Sequence, residues 1–224
     1  MKFYNAHHIA GKGPFETHTD EYEAWFEKNR FVYKAEVQAV KELLPEGKES
    51  IEIGVGSGRF ALPLGVRLGV EPSPKMAEIA TKRGIEVHKG IAEDLPFDDN
   101  RFDSALMVTA ICFITDVTAA MREAYRVLKP GGVLVIGFVD RTSPVGKKYE
   151  VYKAENTFYR EATFYSTDEV VSLMTGAGFR NFAFTQTIFR DLKDITDAET
   201  VKEGYGNGSF VVIRGEKQGV KGDK

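Results

Sequence analysis

From Thr19 to Leu44 apolar residues recur at helical intervals, with Val37, Val40 and Leu44 on one side, and Pro45 and Gly47 end the run. A strand-like SIEIGV follows at 50–55, leading into three glycines spaced two apart, and RFALPLG at 59–65 has the length of one or two helical turns. VRLGVE at 66–71 is the second strand. The next helix is PSPKMAEIATKRG, with Ser73 placed to cap it, Pro74 suited to its first turn and Gly84 closing it. IEVHKG at 85–90 is a third strand, and RFDSALMVT at 101–109 is a fourth, apolar enough to expect burial on both faces. Asp116 is placed to cap the helix VTAAMREAYRVLK, whose Val117, Ala120, Met121, Ala124, Val127 and Leu128 form an inward stripe. A KPGG turn at 129–132 opens the fifth strand, GVLVIGFVD.

Strand and helix alternate through this stretch, which predicts a parallel sheet with helices on both faces. Beyond it the pattern changes. STDEVVSLMTGAGF is a capped helix ending at Gly176 or Gly178, and NFAFTQTIF and GSFVVIRG are two strands with no long helix between them, hence an antiparallel pair. The expected organisation is a single domain over 1–224. A helical cover occupies 1–48, a ligand-binding core 49–139, an aromatic-rich insertion 140–166, the last helix and strands 167–214, and a flexible tail 215–224.

Composition narrows the function classes. With 224 residues and 42% hydrophobic content the chain can bury one sizeable core. A formal net charge of −3 argues against nucleic acid as a partner and against anionic membrane surfaces. No stretch approaches the ~18 apolar residues of a spanning helix, and MKFYNAHHIAGKG lacks the apolar core of a signal peptide. A cytoplasmic protein without membrane insertion is the expectation. The single cysteine, Cys112, excludes a disulfide framework, and no metal site is expected.

The glycine loop carries the chemistry. IEIGVGSGR has Gly54, Gly56 and Gly58, but the dinucleotide fingerprint G-x-G-x-x-G would need a glycine where Arg59 stands. Glu52 precedes the loop, and its charge would oppose a pyrophosphate 4 Å away by about 1 kcal/mol in water and about 4 kcal/mol at an effective dielectric of 20. A cationic nucleoside reverses the sign. S-adenosylmethionine (SAM), with an α-ammonium, a sulfonium and no phosphate, fits that requirement. Glu71, at the end of the second strand, is placed to accept ribose hydroxyls, a feature that fits SAM and NAD alike.

Four blocks in order, EIGVGSG, GVEPSPKM, GIAEDLPFDDNRFDSALMV and REAYRVLKPGGVLVIGF, resemble the class I SAM-dependent methyltransferases, in particular the small-molecule branch of the ubiquinone/menaquinone C-methyltransferase type. The resemblance implies a Rossmann-like three-layer α/β sandwich with a mostly parallel seven-stranded sheet and an antiparallel C-terminal strand. It implies SAM as cofactor, with Glu52 near the methionyl ammonium, Gly54, Gly56 and Gly58 around the ligand, and Glu71 on the ribose. Pro72, Ser73 and Met76 would lie beside the adenosine, Ala92 and Glu93 would border adenine, and Val108 and Thr109 would face the methionyl side. Ile91 departs from the pattern, because relatives often carry there an acid that accepts the adenine amino group.

Methyl transfer of this kind needs alignment more than a catalytic residue, so the absence of a triad does not argue against an enzyme. For a small-molecule acceptor the expected lining is Tyr22, Trp25, Phe26, Phe113, Phe138 and Tyr149, with His18 and Asp140 as candidate bases. His7 and His8 precede the first helix, and adjacent positions suit no metal pair. His88 is expected to be structural, and nothing marks Cys112 as a nucleophile. Two other readings compete: a non-catalytic SAM-binding module, supported only by Ile91, and an NAD(P)-dependent oxidoreductase, for which both the fingerprint and a hydride-site set are missing.

Overall fold

The computed structural model describes residues 13–219, so His7 and His8 lie outside the described residues. Three helices come first: the single turn α1 (Pro14–Thr17), α2 (Thr19–Lys28) and α3 (Arg30–Leu43). The continuous helix expected from Thr19 to Leu44 is broken at Asn29, where φ is −107° and ψ is 35°. The Asn29 N–H and side-chain amide both close on the Trp25 carbonyl, at 2.8 and 2.9 Å, so the break is sealed locally. The buried stripe of α3 is Val32, Ala35, Glu36, Ala39 and Val40, with Val37 and Leu44 half-buried against the same core.

The strands are β1 (Ser50–Ile53), β2 (Leu68–Glu71), β3 (Glu86–Lys89), β4 (Phe102–Val108), β5 (Leu128–Val139), β6 (Phe179–Thr187), β7 (Lys202–Glu203) and β8 (Phe210–Lys217). They form one sheet in the order β3-β2-β1-β4-β5-β8-β6-β7. The pairings among β1 to β5 are parallel, while β8 runs antiparallel between β5 and β6. The eighth strand, one more than expected, is the two-residue β7 on the edge of β6. β8 also continues to Lys217, into the segment expected to be a loose tail. Its ammonium explains why: Lys217 Nζ donates to the Tyr125 and Leu128 carbonyls at 2.8 and 2.7 Å and to Asn100 Oδ1 at 2.9 Å. One cation thereby satisfies carbonyls that the end of helix α5 (Val117–Val127) leaves without intrahelical partners.

Two other segments depart from expectation for identifiable reasons. RFALPLG forms linked turns and not a regular helix. Pro63 has no N–H to offer the Arg59 carbonyl, and the Tyr33 hydroxyl of α3 takes that acceptor instead. The KPGG turn is absorbed into β5 as a bulge: the register jumps from Phe102↔Leu128 to Ser104↔Val133, with Gly131 at φ +79°. The insertion holds a helix, α6 (Pro144–Tyr152), started by Ser143, whose Oγ accepts from the Gly146 N–H, and by Pro144 in the first turn.

The sheet feeds two cores by simple alternation. Ala105 and Met107 of β4 and Leu134, Ile136 and Phe138 of β5 pack with α5 and α7 (Thr167–Ala177). Leu106 and Val108, with Val133 and Val135, pack with α3 and with α4 (Pro74–Lys82) on the other face. Fully burying a side chain such as Met121 of α5 is worth roughly 1.5–3 kcal/mol, which is why Val117, Ala120, Met121, Ala124 and Val127 are buried along α5, while Leu128, expected on the same stripe, opens β5. The chain visits β1, β2 and β3 on one side and returns to β4 on the other, so the sheet changes direction between β1 and β4. Crevices for ligands open at the carboxyl ends of strands at such a point.

Helix α7 begins with a capping box in which Ser166 and Glu169 satisfy each other's backbone, and ends at Gly178 with φ +110°. Replacing Ser166 by Ala is expected to cost about 1 kcal/mol, read as a lower urea midpoint with an unchanged m-value.

Candidate active site

One cavity of about 800 Å³ opens between the ends of β1, β2 and β4 and continues beneath α2, α3 and α6. Its volume lies high in the ~300–1,000 Å³ range of small-molecule sites. At its floor stands Glu52 of β1, 1% exposed, with Oε2 bonded to nothing among the described residues. Burial raises this carboxyl well above its ordinary range, and the charge of Glu71 adds to the rise, while the Ala61 amide pulls the other way. Glu71 ends β2 in a different condition. Its Oε2 accepts the Gly56 N–H at 2.8 Å and its Oε1 the Ser73 N–H at 2.9 Å. Burial still raises it, against those two donors.

The glycines divide in role. Gly54 and Gly56 line the cavity. Their φ values are +73° and +54°, and a Cβ on Gly54 would come within 2.8 Å of the Ala110 methyl. Gly58 does not line it; at φ +82° its missing Cβ leaves room for Ile85, whose Cδ1 would stand only 2.3 Å away. Ser73 also stays off the wall, because its Oγ accepts the Met76 N–H to cap α4 and donates to Glu16. Pro72, Met76, Ile91, Ala92, Glu93, Val108 and Thr109 all line the cavity. Glu93 Oε1 accepts the N–H groups of Thr115 and Asp116, at 3.0 and 3.1 Å. Thr109 is held at φ +53°, an uncommon conformation for a β-branched residue, with its N–H on the Gly137 carbonyl at 2.7 Å.

Aromatic rings wall the other end. Tyr22, Trp25 and Phe26 of α2, Phe113 after β4 and Tyr149 of α6 line it, joined by Phe15 of α1 and by Phe158 and Tyr159 of the insertion. Phe15 meets Phe113 edge-on with centroids 4.9 Å apart, and Tyr149 stacks on Tyr159 at 5.0 Å. Phe138 is different: it is 3% exposed and packs into the α5/α7 core, whereas its neighbour Val139 faces the cavity, as strand alternation requires.

The two candidate bases are not at the cavity either. Asp140 is buried with Oδ1 accepting from the Thr142 N–H and hydroxyl and Oδ2 from those of Thr167, so it ties the insertion to the start of α7. Burial raises its pKa, but those donors outweigh it and hold the carboxyl below its usual range. His18 sits at the N-terminus of α2, bonded to Thr17 Oγ1 and turned edge-on to Phe158. Cys112 is inert, its thiol pushed up by burial to about 12. His88 bonds Glu86 and packs against Phe97.

A latch holds the cover in place. Glu23 of α2 binds Arg59 at 2.6 Å and Arg83 beyond α4, and Arg83 Nη1 donates to the Ser57 carbonyl at 2.7 Å. Arg59 also binds Glu27 at 3.0 Å. The residue that spoils the dinucleotide fingerprint therefore fastens the lid. Sequence patterning missed Glu36, which lines the cavity from α3, is 6% exposed, and is raised by burial alone to about 8. Its signal was a carboxylate four residues from both Val32 and Val40 in a buried stripe. Among the described residues no cluster of His, Cys, Asp and Glu could hold a metal ion, and no helix is long and apolar enough to cross a membrane.

Known proteins agree with this geometry. A methyltransferase-domain family model matches residues 51–136. The crystal structure of a Thermotoga maritima SAM-dependent methyltransferase, possible histamine N-methyltransferase, superposes with a TM-score of 0.90 at 55% identity, covering 91% of this chain and 98% of that one. A Methanocaldococcus jannaschii protein is 46% identical over 91% of this chain and 98% of its own length. The demethylmenaquinone methyltransferase of Staphylococcus carnosus is 27% identical over 70% of this chain and 77% of its own.

Because the raised carboxyls favour the protonated form, they support the empty fold below pH 4.5, their unfolded value, and lose that support as pH climbs toward the folded one. For Glu36 the window runs from 4.5 to about 8. The melting temperature of Glu36→Gln relative to wild type is expected to rise across that window, measured by calorimetry from pH 5 to 9.

Proposed function

This chain belongs to the SAM-dependent methyltransferases, and we propose that it methylates a small acceptor carrying an aromatic or apolar body, held in the ring-walled end of the cavity. One observation carries the reading: the buried, unpartnered Glu52 Oε2 and the aromatic chamber belong to a single continuous space. The residues fit the cofactor. An uncompensated buried carboxylate calls for a cation, and the SAM ammonium is one. Glu71, with both oxygens already oriented by backbone N–H groups, keeps lone pairs for a ribose diol. Gly54 and Gly56 hold the positive φ that brings backbone to the cavity wall, and at Gly54 a Cβ would also collide with Ala110.

When bound, the cofactor supplies an electrophilic methyl group on sulfur, transferred by in-line displacement. The chain's own residues set the geometry of that transfer. The rings of Tyr22, Phe113 and Tyr159 restrict the acceptor's approach, and α1 and α2 exclude water behind the Glu23 latch. Orientation of this kind can supply about 7–11 kcal/mol without a dedicated catalytic side chain. The name of the Thermotoga relative supports a nitrogen acceptor, and that of the Staphylococcus relative a quinol.

Calorimetry with S-adenosylhomocysteine (SAH), before and after Glu52→Gln, tests the cofactor end; binding weaker by about tenfold, or about 1.4 kcal/mol, is expected, and undiminished binding would remove Glu52 from that role. SAH release measured over amines, phenols, thiols and quinols, with protein and nucleic acid as controls, tests the acceptor. Turnover is expected within the small-molecule set, and turnover on macromolecules alone would overturn the proposal.

A further inference from the structure

Packing does not explain the presence of Glu36 in the ring-walled end of the cavity. Val32, Ala35, Ala39 and Val40 surround it on the buried stripe of α3, where an apolar side chain would complete the core at no electrostatic cost. It is 6% exposed, and its carboxylate has neither a hydrogen bond nor an ion pair among the described residues. It lines the cavity. Tyr149 of α6 and Tyr159 of the insertion are the titratable groups that feel its charge, and burial raises both of their pKa values with Glu36 adding to the rise. Among the described residues no cation answers it: the one on the cavity wall is Arg59, engaged by Glu23 and Glu27.

We propose that Glu36 binds the acceptor, holding a protonated nitrogen and taking its proton before methyl transfer, which makes the acceptor an arylalkylamine. This rests on the reading of the cavity as a methyl-transfer chamber and names the acceptor class for it. The aromatic walls take the acceptor's body, and cation–π contact with the rings of Tyr149 and Tyr159 adds to the attraction of the carboxylate. An ammonium has no lone pair to attack with, and beside a sulfonium it meets like charge. The Glu36 carboxylate removes both obstacles by accepting one N–H proton, which leaves R–NH₂ and a neutral carboxyl. The N–C bond then forms as the methyl–sulfur bond breaks with its electron pair left on sulfur. The product R–NH₂⁺–CH₃ departs and Glu36 returns its proton to water. A carboxyl poised at about 8 is far better matched to an amine near 10 than an ordinary glutamate near 4 would be.

The test is calorimetry on the SAH-loaded full chain at pH 7, in two buffers of different ionisation enthalpy. Three amine and alcohol pairs serve as probes: benzylamine and benzyl alcohol, 2-phenylethylamine and 2-phenylethanol, tryptamine and tryptophol. At least one amine is expected to bind about tenfold more tightly than its alcohol, with close to one proton released on binding. Glu36→Gln should abolish both the preference and the proton release while SAH affinity stays at the wild-type value. Equal binding of amine and alcohol would make Glu36 a neutral hydrogen-bond donor and overturn the proposal. So would failure of every amine to bind, retention of the preference in Glu36→Gln, or a fall in that variant's SAH affinity. Failure of wild type to bind SAH at all is a separate result, striking at the chamber itself.

Discussion

Uncompensated negative charge inside a low-dielectric pocket is the constraint around which this molecule is arranged. Glu52, Glu71 and Glu36 are all withdrawn from water, and burial raises all three. Removing a carboxylate from water without a partner costs several kcal/mol, and a protein meets that cost by protonation or by a ligand. Among the described residues six acids line the cavity against a single arginine, and that arginine is already paired. A guest with two positive centres relieves the imbalance in a way that no phosphate could. The sheet's change of direction supplies the location, the glycines the close approach, and the acids the selectivity for charge.

Most of the parallel core was readable from the chain because its signals are local. Ser73 and Asp116 start their helices where capping chemistry places them, and β4 shows, from Ala105 to Val108, the apolar run of a strand buried on both faces. Glu52 and Glu71 were legible because the glycine spacing fixed where the strands end. What escaped is what tertiary contact decides. The break at Asn29 and the turns at 59–65 depend on partners elsewhere, a carbonyl at Trp25 and the hydroxyl of Tyr33. Phe138 and Val139 are adjacent apolar residues on a strand, and only the sheet's orientation says which one meets the ligand.

The misread candidates carry a common lesson. Asp140 and His18 were plausible bases by type, yet one is saturated by two threonines and the other caps the edge of the cover. The overlooked Glu36 lay in a stripe where a charged side chain violates the helical pattern. A local violation of patterning was the more informative sign, since a fold tolerates it chiefly where a site requires it. Arg59 makes the same point from the other direction, because its departure from a nucleotide fingerprint fastens α2 over the glycine loop.

The position of β8 has a consequence for how the molecule comes into being. Among the described elements this strand comes after every other in the chain, yet it lies between β5 and β6 and is hydrogen-bonded to both. Until it leaves the ribosome, β5 presents a bare edge and β6 has no neighbour on its inner side. The cofactor-facing half can form on the emerging polypeptide, but the sheet closes only when this wedge slides home. A nascent chain stalled before β8 would carry two unpaired edges, the template on which sheets aggregate.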